Sequence, residues 1–193
     1  MAQAKICRKR LAQAAAQHLV LTLAAAVTCV GSAIAQTSAG EAAAPCAGEE
    51  FRTFDFWLGD WQVRTADGKV AGANRITRRE GGCVLLEQWI GASGSTGMSM
   101  NFYSPSSGRW NQVWHSASGA LIDISGGWDG ESMVLTGTIE YVATAAIQPF
   151  RGTWTPLDDG RVRQFFEQSD DGGDTWQPWF EGFYARRDAS PEP

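Results

Sequence analysis

The stretch FDFWLGDW, from Phe54 to Trp61, sets four aromatic residues, two aspartates and one glycine side by side. Phe54, Trp57 and Trp61 are spaced at i, i+3 and i+7, so a turn of helix ending at Leu58 would put them on one side. Gly59 then lets the chain bend into a first β-strand, because glycine has no Cβ to restrict the bend. The stretch predicts a short helical turn that either plugs the end of a β-structure or forms the floor of a ligand pocket.

Short β-like runs follow this turn at a spacing of about ten residues, bounded by Gly, Asp, Asn or Ser. Links such as Glu80–Gly82 and Asp158–Gly160 supply glycine for the positive φ of tight hairpin turns. The predicted strands are Trp61–Thr65, Gly72–Arg79, Cys83–Ile90, Met98–Ser104, Arg109–Ser116, Leu121–Trp128, Ser132–Tyr141, Ile147–Thr155, Arg161–Ser169 and Trp179–Arg187. Closure into a barrel removes the exposed edges of such a sheet. We therefore predict an all-β fold, an antiparallel up-and-down β-barrel of about ten strands with a short N-terminal helical turn.

The N-terminus has the order of segments that is typical of a cleavable secretory signal peptide. Basic residues at Lys5–Arg10 precede the apolar run Leu19–Val27, and the small residues of Ala33–Ala35 follow. The apolar run is shorter than the about 20 residues of a membrane span. We expect export to the periplasm or outside the cell, without membrane insertion after cleavage.

Cleavage after Ala35 would leave about 158 of the 193 residues, which is the size of one domain. We expect residues 1–35 to be the signal peptide, 36–50 a disordered tether, 51–187 a monomeric barrel domain and 188–193 a disordered tail. Loss of the leader removes four basic residues and no acidic ones, so the formal net charge changes from −5 to about −9. Phosphate binding requires a basic surface, so nucleic acid is excluded as a partner.

Two cysteines remain after the leader, Cys46 and Cys83. In an oxidising compartment they are expected to pair, and a bridge closing that loop would stabilise the fold by about 4 kcal/mol on the chain-entropy model. Two unrelated thiols are the alternative. Since a CxxC motif is absent, a zinc site with several Cys and His ligands is excluded.

The two ends of the barrel domain resemble the calycin superfamily of lipocalins and fatty-acid-binding proteins. Gly59, Asp60 and Trp61 form a G-x-W motif at the first strand, and Arg186 and Arg187 end the last strand. In calycins an arginine of the final strand covers the first-strand tryptophan in a cation–π stack. The resemblance implies structural roles for Gly59, Trp61 and Arg186, and it favours the plug over the pocket floor for Trp61, while Asp55 and Phe56 are left open.

Several motifs in the same order narrow the resemblance to an exported bacterial family of unknown function with a calycin-like barrel. The similarity extends over about Phe51 to Arg187, and the family implies a fold and a compartment but no accepted reaction. The motifs are FDFWLGDW, Gly82–Trp89, Arg109–Trp110 with Gln112 and Trp114, Trp154–Pro156, Val162–Gln164 with Glu167, and Gly172–Trp176.

Side-chain alternation along the strands identifies residues that could line the barrel interior. We predict inward faces that combine large apolar side chains with a few polar ones, as ligand pockets do. Outward-facing tryptophans on the surface are the alternative. The predicted faces are Leu85, Glu87 and Trp89; Trp110, Gln112 and Trp114; and Arg163, Phe165 and Glu167. A buried Glu87 or Glu167 could pair with Arg163.

Three functional hypotheses follow from this interior. The first is binding of a small hydrophobic or aromatic molecule by Glu87, Trp89, Gln112, Trp114, Arg163 and Glu167. The second is a hydrolase that uses Glu87 and Glu167 as a carboxylate pair on a sugar or another small substrate. The third is a filled barrel that acts through its surface as an interaction module. Binding without catalysis is the reading we prefer.

Two further motifs suggest functions that we do not favour. His115 is the only histidine after the leader, and haem-binding barrels of the nitrobindin type use one axial histidine. His115 alternates with Trp114 along the strand, and we expect it on the solvent side or with its polar atoms satisfied within the fold. The glycine–tryptophan pattern of nitrobindin is not reproduced beyond G-x-W, so we predict no cofactor. Ser169–Trp176 matches the Asp-box of sialidases, which recurs once per propeller blade, but it occurs here once. We interpret it as a rigid hairpin between the last two strands.

Overall fold

The computed structural model of the protein describes residues 44–187. Three 3₁₀ helices occur in this part of the chain, Glu49–Phe51, Asp55–Trp57 and Glu80–Gly82. The strands are β1 (Gly59–Arg64), β2 (Val70–Arg79), β3 (Val84–Gly91), β4 (Thr96–Ser104), β5 (Arg109–Ser116), β6 (Ala120–Trp128), β7 (Met133–Tyr141), β8 (Ala146–Pro156), β9 (Val162–Gln168) and β10 (Gln177–Arg186). Each strand pairs antiparallel with the next, and β1 pairs with β10, so the sheet is a closed barrel.

The predicted all-β fold, an up-and-down barrel with a short helical turn near its start, is confirmed. β5 has the predicted bounds, while β1 begins at Gly59 rather than at Trp61. The links contain the glycines that their turns require, since Gly68 and Gly160 have φ of +83° and +80°. Strand number and order therefore follow from the periodicity and the turn residues.

Aromatic side chains from the FDFWLGDW stretch close one end of the barrel. Phe54, Trp57 and Trp61 are each 0% exposed. Phe54 stacks on Trp57 with ring centroids 5.1 Å apart, and its ring meets Trp110 and Trp154 edge-on. Trp61 Nε1 donates a 2.9 Å hydrogen bond to the Trp57 carbonyl. The stretch is thus the plug of the closed end and not the floor of a pocket.

The predicted stack of Arg186 on Trp61 is confirmed. The Arg186 guanidinium carbon lies 4.3 Å from the Trp61 ring centroid, and Arg186 Nη1 donates to the Leu58 carbonyl at 2.9 Å. Gly59 has a φ of +140°, and a Cβ there would lie 2.2 Å from Arg186 Nη1. Gly59 is therefore required both by its backbone conformation and by the close approach of the arginine.

Cys46 and Cys83 form a disulfide with Cα atoms 5.1 Å apart, so the predicted pairing is confirmed and the alternative of two separate thiols is wrong. The bond joins the N-terminal segment to the residue that precedes β3. Cys46 itself is buried.

The boundary of the predicted tether needs a correction. Residues 44–50 belong to the folded unit, because the disulfide and the buried Phe51 hold them against the barrel. The predicted signal peptide, the first part of the tether and the predicted tail at 188–193 lie outside the described residues.

The segment Ser169–Trp176 is a hydrogen-bonded hairpin between β9 and β10, as predicted. Ser169 Oγ accepts from the Gly173 amide at 2.8 Å. Asp171 accepts from the Thr175 amide at 2.8 Å and from the Thr175 hydroxyl at 2.6 Å. The hydrogen bonds from Thr175 hold the pKa of Asp171 well below its usual range. The Trp176 ring packs under Arg151 at 4.5 Å.

Replacement of both Cys46 and Cys83 by serine should lower the free energy of unfolding by about 4 kcal/mol. The cysteines are 37 residues apart, and the unfolded chain gains freedom when the loop opens. Urea unfolding followed by tryptophan fluorescence measures the loss, and the reduced wild-type protein should match the double variant. A loss below about 1 kcal/mol would contradict the expectation.

Candidate ligand-binding cavity

A cavity of about 140 Å³ lies inside the barrel. It is at the end opposite the plug, since Trp114 lies near the end of β5 whereas the plug contact Trp110 lies near its start. Aromatic rings form most of the wall, and polar groups are few. The lining consists of Trp89, Trp114, Phe166, Trp179, Phe180 and Ile122, together with the polar side chains of Glu87, Gln164 and Tyr184.

A β-bulge brings two consecutive residues of β10 to this wall. The register of β10 against β9 shifts between Pro178, which is opposite Glu167, and Phe180, which is opposite Phe166. The extra residue of a bulge breaks the alternation of faces, so Trp179 and Phe180 both line the cavity. Trp179 is 41% exposed and therefore forms the rim.

Two glycines make the space that the tryptophan rings occupy. A Cβ at Gly97 would lie 2.1 Å from Trp114 Cζ2, and a Cβ at Gly72 would lie 2.7 Å from Trp89 Cζ2. Both contacts are shorter than van der Waals packing allows. The indoles of Trp89 and Trp114 can lie against the barrel wall only because Gly72 and Gly97 have no side chains.

A chain of buried hydrogen bonds runs across four strands and converges on Glu87. Gln112 Nε2 donates to Asn101 Oδ1 and Asn101 Nδ2 donates to Ser99 Oγ, both at 2.8 Å. Ser99 Oγ donates to Glu87 Oε2, and Asn74 Nδ2 donates to Glu87 Oε1, both at 2.6 Å. All five residues are buried. Because these donors are directed towards Glu87, they orient its carboxylate group.

Tyr184 extends the network without giving its proton to Glu87. The Tyr184 hydroxyl accepts from Asn74 Nδ2 at 3.1 Å and donates to Gln164 Oε1 at 2.5 Å. Burial, and then the nearby Glu87 charge, raise the pKa of Tyr184 well above its ordinary value. Tyr184 is therefore a neutral hydroxyl at physiological pH.

Glu87 is a carboxyl group in an apolar interior, and it has no ion-pair partner within residues 44–187. Burial raises its pKa to about 7, while the hydrogen bonds from Ser99 and Asn74 oppose that shift. Glu87 is 3% exposed, so solvent does little to offset the cost of its charge. It changes protonation state near neutral pH.

The predicted inward faces of β3 and β5 are confirmed. Glu87, Trp89 and Trp114 line the cavity. Gln112 is also inside the barrel and 1% exposed, but it does not line the cavity. It supports the hydrogen-bond network through Asn101.

The predicted inward face of β9 is wrong, and Arg163 and Glu167 are outside the barrel. Gln164 pairs in register with Trp154, and the neighbouring inward residue Phe166 pairs with Gly152, so the odd-numbered side chains of β9 point outward. Arg163 pairs there with Glu181 at 2.7 Å, and its guanidinium lies on the Phe165 ring. Glu167 pairs with Arg151 at 2.7 Å.

These positions separate the two carboxylates on which the hydrolase hypothesis depends. Glu87 is inside the barrel wall and Glu167 is outside it. The structure therefore does not bring them together as an acid–base pair. Neither carboxylate pairs with Arg163, which the sequence had suggested as their partner.

His115 is exposed on the outer face of β5, as its parity predicted. It pairs in register with Met98 of β4, whose side chain is 50% exposed. Among residues 44–187 no cluster of His, Cys, Asp or Glu could hold a metal ion. No helix in that range is long and apolar enough to cross a membrane.

Sequence reasoning missed several residues of the site. A signal for Tyr184 and Phe180 was present, because Arg186 was already placed over Trp61 and alternate residues of β10 share its face. In β9 and at the bulge no residue had been assigned to a face, so alternation could not identify the inward side chains. The other missed residues are Asn74, Ser99, Asn101, Ile122, Gln164, Phe166 and Trp179.

Comparison of the chain with protein-family models and with curated proteins gives no match. The class of protein is therefore defined by the fold and the cavity, as a closed ten-stranded antiparallel barrel with a small aromatic chamber at one end.

The ionisation of Glu87 should make stability depend on pH. Folding raises the pKa of Glu87 from 4.5 to about 7, so the folded state favours the protonated form. The resulting contribution to the free energy of unfolding is complete below the pKa of the unfolded chain and is lost as the pH rises through about 7. The loss amounts to about 3 kcal/mol. Glu87→Gln cannot ionise, so its stability relative to wild type should rise by up to this amount over the same window.

Urea unfolding at a series of pH values measures this difference. Glu167→Gln is the matched control, because it removes a carboxylate on the outer face and should not reproduce the trend. Wild type and Glu87→Gln curves that run parallel between about pH 5 and about pH 8 would show that Glu87 does not titrate as described.

Proposed function

We propose that this protein is a binding protein that holds a small, largely aromatic or apolar molecule in the cavity at the open end of the barrel. The observation that carries the proposal is the composition of the wall, in which aromatic rings surround three convergent polar side chains. Ligand sites typically combine an apolar lining with a few polar groups that fix orientation.

The volume of the cavity supports a ligand with about one ring. At about 140 Å³ it is close to the about 150 Å³ of a protein cavity that binds benzene, and smaller than the 300 Å³ or more of a drug-sized site. The aromatic plug fills the other end of the barrel and leaves little room for a long chain. These dimensions favour a single-ring molecule over a fatty acid, retinoid, flavin or haem.

We further propose that the chain is a calycin-like protein of the periplasm or the extracellular space. The stack of Arg186 on Trp61 and the sequential strand order support the calycin-like assignment. The Cys46–Cys83 disulfide is compatible with an oxidising compartment. Membership of the exported bacterial family with the FDFWxGxW signature is part of the same proposal.

A second candidate function is interaction through the outer wall. Its support is an exposed apolar strip in which Ile90, Met98 and Met100 are 59%, 50% and 53% exposed. A pull-down with wild type and with the double variant Met98→Glu/Met100→Glu would test it. Loss of a captured partner in the variant would favour this candidate.

Isothermal titration calorimetry with benzyl alcohol tests the ligand-binding proposal. Gly97→Ala should weaken binding by about tenfold or more, because the new Cβ pushes the Trp114 indole into the cavity. Gly127→Ala is the matched control, since a Cβ there meets no atom within 4 Å. Dodecanoate, which is longer than the cavity, should not bind.

Absence of binding by benzyl alcohol and by other neutral or charged single-ring molecules would overturn the proposal. Equal affinities of wild type and Gly97→Ala would show that the ligand binds outside the cavity.

A further inference from the structure

The cavity contains an acidic group that the protein does not neutralise. Glu87 lines the cavity, and within the described residues its hydrogen-bond partners are two neutral donors, Ser99 and Asn74. A buried carboxylate without a positive partner is costly, and a ligand that brings a positive charge removes that cost.

Glu87 also keeps hydrogen-bonding capacity for a ligand. A carboxylate offers about four acceptor positions, and each oxygen of Glu87 accepts one hydrogen bond from the protein. The Tyr184 proton is directed to Gln164 and does not compete for these positions. The carboxylate is therefore oriented but not saturated.

The surrounding rings supply the second element of a cation site. Trp89, Trp114, Trp179 and two phenylalanines line the same cavity as Glu87. The face of an aromatic ring attracts a cation through its quadrupole, most strongly for tryptophan, and this attraction grows when water is excluded. The negative net charge of the chain, formally −5, also favours the approach of cations.

We propose that the ligand of this cavity is a small organic cation, a protonated amine or a quaternary ammonium group on a single-ring-sized body, held between the Glu87 carboxylate and the indole rings. This inference rests on the proposed binding function and specifies the chemical class of the ligand. The apolar body occupies the aromatic chamber, and the charge is placed at Glu87.

Binding of such a cation depends on pH in a defined direction. The groups that face Glu87 are Asn74 from β2, Ser99 from β4 and, beyond Asn74, Tyr184 from β10. Of these only Tyr184 titrates, and its raised pKa keeps it neutral. Since burial brings the pKa of Glu87 to about 7, the cation binds the ionised form and its affinity rises with pH. The increase expected between about pH 6 and about pH 8 is about tenfold.

Benzylamine and benzyl alcohol form a matched charged and neutral pair for the test. By calorimetry at about pH 8, wild type should bind benzylamine about tenfold or more tightly than benzyl alcohol. Glu87→Gln should lose this preference, so that its affinities for benzylamine and benzyl alcohol differ by less than about threefold. Equal or weaker binding of benzylamine, or a preference that survives in Glu87→Gln, would overturn the inference while leaving the proposed binding function intact.

Proton release gives an independent readout on wild type, which is needed if Glu87→Gln does not fold. Titrations at about pH 6 in buffers of different ionisation enthalpy should show release of about one proton with benzylamine and none with benzyl alcohol. Benzylamine binding without proton release would overturn the assignment of Glu87 as its partner. If neither these two compounds nor other single-ring molecules bind, the proposed function itself fails.

Discussion

The pairing of β1 with β10 is the contact on which the interior of this protein depends. Trp61 lies opposite Arg186 in that pair, and the guanidinium covers the indole. The Arg187 amide adds a hydrogen bond to the Asp60 carbonyl at 3.0 Å. Side chains alternate along a strand, so a slip of one residue would exchange the inner and outer faces of that strand. Closure in this register places Tyr184 inside and thereby sets one wall of the cavity.

The interior has two parts with different physical roles. At the plug, Phe54, Trp57 and their neighbours fill the space and bury apolar surface, which stabilises the fold. Around Glu87 the barrel also buries a polar network. Asn74 Oδ1 and Gln112 Oε1 of this network have no partner among residues 44–187, and the same holds for Trp57 Nε1 and Trp154 Nε1 at the plug. Each such group costs about 1 to 3 kcal/mol. A stable apolar core would not need this network, and its cost is understandable if the cavity binds a ligand.

Much of the fold could be predicted because its signals are local. Glycines such as Gly68 and Gly160 indicate hairpin turns, and the alternation of apolar and polar residues indicates strands. A third of the cavity wall was also accessible, since Glu87, Trp89 and Trp114 are three of its nine lining residues and lie on strands whose apolar and polar positions alternate clearly. The face of β9 was not, because Arg163 and Glu167 beside aromatic residues suggested an internal ion pair. In the barrel these charges pair across the outer face, with Glu181 and Arg151.

The sequence by itself determined the number and order of the strands, the aromatic plug, the arginine above Trp61 and the pairing of the two cysteines. Each of these depends on signals carried by neighbouring residues or by residue types at particular places in the sequence. The tertiary structure alone decided which side chains share the cavity with Glu87 and that burial raises the pKa of this carboxyl group. Those properties depend on the register of closure and on the bulge at Trp179, which are set by contacts between residues far apart in the chain.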